Sequence, residues 1–170
     1  MRTRGSPGAD VSSASDPVAA YRPNETRAEV IRVALVDDHP ILRAGLVWAF
    51  EHHPGFEVVA EGASGAEAIQ IAETLLPDLI LLDINMPGDG VRAARAISRT
   101  CPAVRIIMLT AHDGEQHVVN ALRCGASGYV VKGVSSEELI KTAQSVHKGE
   151  ACEPACKFDP LLECAPAGGH

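Results

Sequence analysis

Short apolar runs alternate with amphipathic segments from residue 30 to residue 150. A run that is apolar throughout is typical of a strand buried on both faces, whereas an apolar stripe with a period of about 3.6 residues is typical of a helix. The runs predict strands at 31–36, 56–60, 79–82, 105–109 and 129–131. The stripes predict helices at 40–52, 64–75, 91–99, 115–123 and 135–148.

Capping residues support these boundaries. Pro40 suits the first turn of a helix, because the N–H that proline lacks would have no partner there. Ser64, and either Ser135 or Ser136, can each cap a helix N-terminus. Pro77 ends the second helix, since proline cannot continue the helical hydrogen bonds.

Five consecutive strand–helix units predict an α/β fold. Such units place parallel strands in one sheet through right-handed crossovers, with helices on both faces. The third strand, 79–82, is apolar on both faces and is therefore predicted to be central. We expect a doubly wound five-stranded parallel sheet with the strand order 2-1-3-4-5.

The two ends of the chain differ from this middle part. Residues 1–29 are rich in Ser, Ala, Pro and Gly without any period, which predicts a disordered leader. Residues 151–170 contain breaking prolines and glycines and predict an unstructured tail, so the folded domain is expected at 30–150. A zinc site in the tail is the alternative, although the spacing lacks the paired pattern of structural sites; its ligands would be Cys152, Cys156, Cys164 and His170.

Charge and hydropathy exclude two classes of function. The 170 residues carry a formal net charge of −7, whereas a protein that binds nucleic acid by electrostatics needs a basic face. No apolar run approaches the roughly 18 residues of a membrane span. The N-terminus also lacks the apolar segment of a secretory signal, so we expect a cytoplasmic protein without membrane contact.

Polar residues follow four of the predicted strands. Asp37 and Asp38 end the first strand, Asp83 the third, Thr110 the fourth and Lys132 the fifth. All of these positions lie at the carboxyl edge of a parallel sheet, where ligands bind in open α/β folds. Singly, each has an ordinary explanation as a helix cap or a surface lysine, but their joint occurrence at one edge favours a site.

Three carboxylates in one pocket need a compensating cation. Each like-charged pair costs on the order of 4 kcal/mol at about 4 Å and an effective dielectric constant near 20. Lys132 and a divalent metal are the two candidates. A carboxylate-rich oxygen site with few protein ligands suits Mg²⁺.

Four motifs resemble the receiver domain of bacterial two-component response regulators. They are Val-Asp-Asp-His-Pro at 36–40, Leu-Asp-Ile-Asn-Met-Pro-Gly at 82–88, Leu-Thr-Ala at 109–111 and Gly-Tyr-Val-Val-Lys at 128–132. The sequences of these motifs are most similar to those of the branch that usually carries a LuxR-type helix-turn-helix output domain. The resemblance covers about residues 30–150 and implies a flavodoxin-like receiver fold.

The resemblance implies a role in phosphorelay signal transduction. Asp83 would accept a phosphoryl group from a sensor histidine kinase, as a signalling switch and not as a turnover enzyme. Mg²⁺ would be bound by Asp38, by Asp83 and by the backbone carbonyl of Asn85, with Asp37 acting through water. His39 and His112 would flank this site and modulate water access, and are not expected to donate phosphate.

Three further residues would act on the phosphoryl group or report it. Thr110 would bond a phosphoryl oxygen and Lys132 would pair with it. Tyr129 would be the aromatic switch residue, whose rotamer reports the position of Thr110 to the surface around the last two helices. The resemblance also implies a homodimer, or a heterodimer with a related regulator, formed either through helix four, strand five and helix five or through helices one and five.

Two departures from the family pattern matter. The loop after Asp83 is one residue shorter than the usual form, which leaves the pose of the following helix open. After Gly149 only a short tail follows, so we expect no DNA binding by this chain. We expect either a stand-alone receiver or the remnant of a truncated or frameshifted LuxR-type regulator.

Two other functions stay as alternatives. A phosphatase similar to haloacid dehalogenases also uses an Asp nucleophile with Mg²⁺, but needs a second Asp two residues on, where this chain has Asn85. An interaction module or decoy would bind a kinase or a related regulator without phosphorylation.

Overall fold

The computed structural model describes residues 29–111, 119 and 122–150. Strands and helices alternate through the first seven elements. In chain order the elements are β1 (Ile31–Val36), α1 (Pro40–Glu51), β2 (Phe56–Gly62), α2 (Gly65–Leu75), β3 (Leu79–Asp83), α3 (Gly90–Thr100), β4 (Arg105–Thr110), β5 (Gly128–Val131) and α4 (Ser136–Lys148).

The five strands form one parallel sheet in the order β2-β1-β3-β4-β5. This order confirms the predicted doubly wound α/β fold. Strand β3 lies in the middle, and all five of its residues are buried, as its apolar sequence predicted. Strand β2 ends two residues later than predicted, because Glu61 and Gly62 continue the pairing with β1 beyond an irregularity between Val33 and Ala34.

Alternate residues of the strands point to opposite faces and build two separate cores. One core lies under α2 and α3 and the other under α1 and α4. The strand residues of the first core are Ala34, Val36, Ile80, Leu82, Ile106 and Met108. Those of the second are Ile31, Val33, Leu35, Phe56, Leu79, Leu81, Ile107, Leu109 and Val130.

The helix ends agree with the capping residues of the sequence. Helix α1 has Pro40 in its first turn. The Ser64 side chain accepts a hydrogen bond from the Glu67 N–H at the start of α2. Ser135 and Glu138 form a reciprocal capping box at the start of α4, which satisfies two N–H groups at once.

Several predictions fall on residues outside the described ranges. They concern the leader up to residue 28, His112, most of the helix at 115–123, and the tail at 151–170 with its cysteines. Leu122 and Arg123 are helical. Among the described helices, none combines the length and the apolar character that crossing a membrane requires.

Candidate functional site

Three aspartates converge at the carboxyl edge of the sheet. Asp37 follows the last residue of β1 and Asp83 ends β3, and these two strands are hydrogen-bonded neighbours. Asp37 and Asp83 are fully buried, whereas Asp38 is about one-third exposed. The sheet order therefore creates an acidic pocket from residues that are far apart in the chain.

Lys132 supplies the cation of this pocket. Its Nζ lies 3.0 Å from Asp37 Oδ2 and 3.0 Å from Asp83 Oδ1. Its backbone N–H donates to the carbonyl of Thr110, which holds it at the end of β4. Burial by itself lowers the pKa of Lys132, but hydrogen bonds and attraction from both carboxylates outweigh this, and the pKa is raised above its ordinary value.

His39 faces the same carboxylates from the start of α1. Its Nδ1 lies 3.0 Å from Asp37 Oδ1, 3.0 Å from Asp38 Oδ1 and 3.9 Å from Asp83 Oδ2. Its backbone N–H donates to Asp37 Oδ1 at 2.8 Å. From the sequence, His39 was expected only to flank the site; its position directly after two aspartates was the available signal for these contacts.

Arg43 holds the main chain at the pocket, a contact that the pattern of residue types does not predict. Its Nη1 donates to the carbonyl oxygen of Asp37 at 2.6 Å, and its Nε pairs with Glu61 Oε2 at 3.2 Å. Arg43 thereby ties α1 to the ends of β1 and β2. Its place one helical turn after His39 is the only sequence signal for this contact.

Buried carboxylate oxygens mark a place for a cation. Within the described part of the chain, three such oxygens lack a hydrogen-bond partner: Asp37 Oδ2, Asp38 Oδ1 and Asp83 Oδ2. Asp37 Oδ2 forms an ion pair with the Lys132 ammonium at 3.0 Å. Leaving such oxygens unmatched is costly, and a hard divalent ion with oxygen ligands would satisfy them. Ligand atoms of Asp37, Asp38, His39 and Asp83 all lie within 4.8 Å of one another, so the residues fit Mg²⁺.

The remaining predicted residues lie around this cluster. The Asn85 N–H donates to Asp83 Oδ1 at 3.2 Å. Thr110 is buried at the end of β4, directly after the residue paired with Asp83. Tyr129 is half-buried on β5 and packs against the core under α2 and α3. The structure thus brings Asn85 and Thr110 to the pocket, and it places Tyr129 on the strand that leads to Lys132.

A seam of glycines fixes the shortened loop after Asp83. A Cβ on Gly90 would overlap the backbone carbonyl of Asp83, and a Cβ on Gly65 would lie 2.8 Å from the Gly88 oxygen. The Gly65 N–H also donates to the carbonyl of Pro87. Asp89 caps α3 by accepting from the Val91 N–H. The short loop therefore starts α3 directly against the backbone of β3.

Comparisons with known sequences agree on one family. A family model for the response regulator receiver domain matches residues 33–144. The transcriptional regulatory protein DegU of Brevibacillus brevis is 39% identical over 122 residues, which cover 71% of this chain and 52% of DegU. The nitrate/nitrite response regulator protein NarL of Escherichia coli (strain K12) is 38% identical over 123 residues, which cover 72% of this chain and 57% of NarL. The chain thus spans little more than half the length of these relatives.

Solved structures give the same result. The signal receiver domain of the putative response regulator NarL from Mycobacterium tuberculosis superposes with a TM-score of 0.68 at 37% identity, and covers 72% of this chain and 99% of that domain. A LuxR-family two-component response regulator from Aurantimonas sp. superposes with a TM-score of 0.69 at 36% identity, and covers 72% of this chain and 88% of that one.

Proposed function

The chain belongs to the response regulator receiver domain family, and from this premise we propose that Asp83 accepts a phosphoryl group from a sensor histidine kinase. The observation that carries the proposal is the environment of the Asp83 carboxylate. Its Oδ1 is held by Lys132 and by the Asn85 N–H, while its Oδ2 is buried without a hydrogen-bond partner in the described residues. Oδ1 is therefore held in place, and Oδ2 is available to react or to bind a cation.

The proposed reaction transfers the phosphoryl group to the carboxylate. A bond forms between an Asp83 oxygen and phosphorus, and the P–N bond of a phosphohistidine breaks with its electron pair returning to the imidazole nitrogen. A carboxylate is ordinarily ionised at neutral pH, so no general base is required. Catalysis then rests on positioning and on neutralising charge. In this reading the protein is a switch that is phosphorylated once, and not an enzyme with turnover.

The metal that fits the site is Mg²⁺. In our proposal Asp38, Asp83 and the backbone carbonyl of Asn85 hold the ion directly, and Asp37 acts through water. The unpartnered Asp38 Oδ1 and Asp83 Oδ2 support this assignment, since both are buried oxygen ligands. The bound ion would offset the negative charge of the carboxylates and of the incoming phosphoryl oxygens.

Two residues are proposed to hold the phosphoryl group and one to report it. Lys132 already lies 3.0 Å from an Asp83 oxygen, so its ammonium is placed to pair with a group bonded there. Thr110 ends the strand beside Asp83 and is assigned to a phosphoryl oxygen. Tyr129 is assigned the switch role, because its ring packs against the core under α2 and α3.

Partners follow from the same proposal. The sensor kinase is the phosphodonor, and the phosphorylated form changes protein contacts, including those of a homodimer or of a heterodimer with a related regulator. Phosphorylation can shift such an equilibrium only by its different interaction free energy with the two conformations.

Labelling with a small phosphodonor tests the proposal. Intact-mass spectrometry after acetyl phosphate or phosphoramidate with Mg²⁺ should show one added phosphoryl group, which is absent without Mg²⁺ and in Asp83→Asn. Asp78→Asn is the matched control, because Asp78 lies before the opposite end of β3 and its oxygen accepts from the Arg32 N–H, a role that an amide oxygen can fill. A wild-type protein that gains no phosphoryl group from either donor, or an Asp83→Asn variant that still gains one, would overturn it.

A further inference from the structure

We propose that His39 makes the pocket a site for late first-row divalent ions, with Zn²⁺ as the reference ion, in which Nδ1 is a direct ligand beside Asp38 Oδ1 and Asp83 Oδ2. The inference rests on the proposed function, because it concerns the same acidic pocket. It adds a nitrogen ligand to a site otherwise assigned to oxygen ligands, and therefore changes which ions the pocket selects.

The positions of the three atoms suit one ion. Ligands about 2.1 Å from a tetrahedral ion such as Zn²⁺ lie about 3.4 Å apart. His39 Nδ1 is 3.0 Å from Asp38 Oδ1 and 3.9 Å from Asp83 Oδ2. The two separations lie on either side of the tetrahedral value, and all the ligand atoms of the cluster lie within 4.8 Å of one another, so one ion can contact all three atoms after small side-chain shifts.

The two oxygens are available for such an ion. Asp83 is 1% exposed, and its Oδ2 has no hydrogen-bond partner among the described residues. Asp38 Oδ1 is also buried without one. The Asp37 oxygens are already engaged, one by the His39 N–H and the other by the Lys132 ammonium, so Asp37 is the least free of the three carboxylates.

Main-chain and side-chain contacts place the imidazole over the pocket. The His39 N–H donates to Asp37 Oδ1, and its carbonyl accepts from the Arg43 N–H in the first turn of α1. Nδ1 itself lies 3.0 Å from Asp37 Oδ1, which turns the ring toward the carboxylates, although the side chain as a whole is 64% exposed. The exposed position leaves an entry path for an ion.

Ligand chemistry gives the direction of the selectivity. Imidazole suits Zn²⁺ and its neighbours in the first row, whereas Mg²⁺ prefers oxygen and keeps several of its waters. Removing the imidazole should therefore weaken Zn²⁺ binding much more than Mg²⁺ binding.

The direct test is a spectrum of the histidine nitrogens in the full chain. Long-range ¹H–¹⁵N spectra recorded without phosphodonor should show the His39 Nδ1 resonance moving to the range of a metal-bound nitrogen on adding Zn²⁺ and not on adding Mg²⁺. The resonance is assigned by its loss in His39→Gln. Because the signal is specific to one residue, Zn²⁺ bound by any other histidine or cysteine does not imitate it.

Affinities give a second readout. Competition with a chromophoric chelator should show that Zn²⁺ binding at the pocket weakens by about tenfold or more in His39→Gln. Mg²⁺ affinity should change by no more than about twofold. His52→Gln is the matched control, since His52 is an exposed histidine at the far end of α1 that contacts Trp48.

The outcomes separate this inference from the proposed function. An Nδ1 resonance that Zn²⁺ leaves in place, or equal losses of Zn²⁺ and Mg²⁺ affinity in His39→Gln, would refute the nitrogen ligand while leaving phosphorylation of Asp83 intact. Zn²⁺ ligation by Nδ1 in a protein that gains no phosphoryl group would uphold the metal site and refute the switch.

Discussion

The Lys132 ammonium balances the charge of the pocket at the scale of single residues. It contacts one oxygen of Asp37 and one of Asp83, and both carboxylates are buried. A buried charge that loses its partner is strongly destabilising, because neither water nor another charge replaces it. In the absence of metal, the stability of the fold should therefore depend on this one side chain.

We expect Lys132→Met to lower the free energy of unfolding by about 3 kcal/mol in metal-free buffer at neutral pH, since two carboxylates stay buried without their cation. Urea denaturation of the variant and of the wild type measures this change in the free energy of unfolding. Lys141→Met is the control, because Lys141 is exposed and forms an i,i+4 pair with Glu137, which contributes about 0.5 kcal/mol or less. Equal stabilities of the two variants would contradict the assignment.

The difference in stability between wild type and Lys132→Met should depend on pH. The pKa of Lys132 is raised in the folded state above 10.5, so the folded protein retains this proton more tightly than the unfolded chain. The stability difference between wild type and Lys132→Met should be constant below about 10.5 and should shrink as pH rises through the folded pKa. Urea denaturation at a series of pH values measures the difference, and a gap that widens over that range would contradict the sign.

Residue types and spacing predicted the site only in part. Asp37, Asp38, Asp83 and Lys132 could be placed together, because all follow strands that end at one edge. The contacts of His39 and Arg43 could not be placed, since they depend on side-chain direction in the first turn of α1. A pattern of apolar and polar positions says which face a residue takes, but not which atom it reaches.

Two helical glycines differ in the space that is available for an added methyl group. Gly45 lies in the exposed middle of α1, and a Cβ there would have nothing within 4 Å. Gly90 begins α3 against the carbonyl of Asp83. The same substitution should therefore have opposite effects at these positions.

Gly45→Ala should raise the free energy of unfolding by about 0.5–1 kcal/mol, because alanine loses less conformational entropy in a helix. Gly90→Ala should lower it by about 2 kcal/mol or more, because the added methyl group overlaps backbone atoms. Thermal denaturation of the two variants beside the wild type measures both changes. An unchanged melting temperature in Gly90→Ala would mean that α3 is free to move away from β3.

The elements themselves were largely predictable. Strand and helix limits follow from period and caps, as at Pro40 and Ser64. The pose of α3 was left open, because a one-residue deletion in a loop has no periodic signal. It is settled by backbone contacts of Gly65 and Gly90, which sequence pattern alone does not report.

Across the whole molecule, the sheet order decides whether a pocket exists. Asp37 and Asp83 meet only because β1 and β3 are neighbours, and Lys132 reaches them from β5 at the edge of the sheet. Since the unfolded chain has no such arrangement, an ion bound there should stabilise the folded state.

We expect Mg²⁺ to raise the free energy of unfolding of the wild-type chain by about 2.7 kcal/mol at one hundred times its dissociation constant. Asp83→Asn should lose most of this increment, while Asp78→Asn should keep it. Urea denaturation with and without Mg²⁺ measures the effect. An equal Mg²⁺ increment in both variants would place the ion elsewhere on the protein.

The glycine seam has a consequence for protein design. Because a Cβ on Gly65 or Gly90 would meet backbone atoms, these two positions have no room for a larger side chain. New ligand preferences would have to be engineered at His39, whose exposed side chain already reaches the carboxylates. A library randomised at His39 would sample binding chemistry, whereas one randomised at the two glycines would sample mainly misfolded chains.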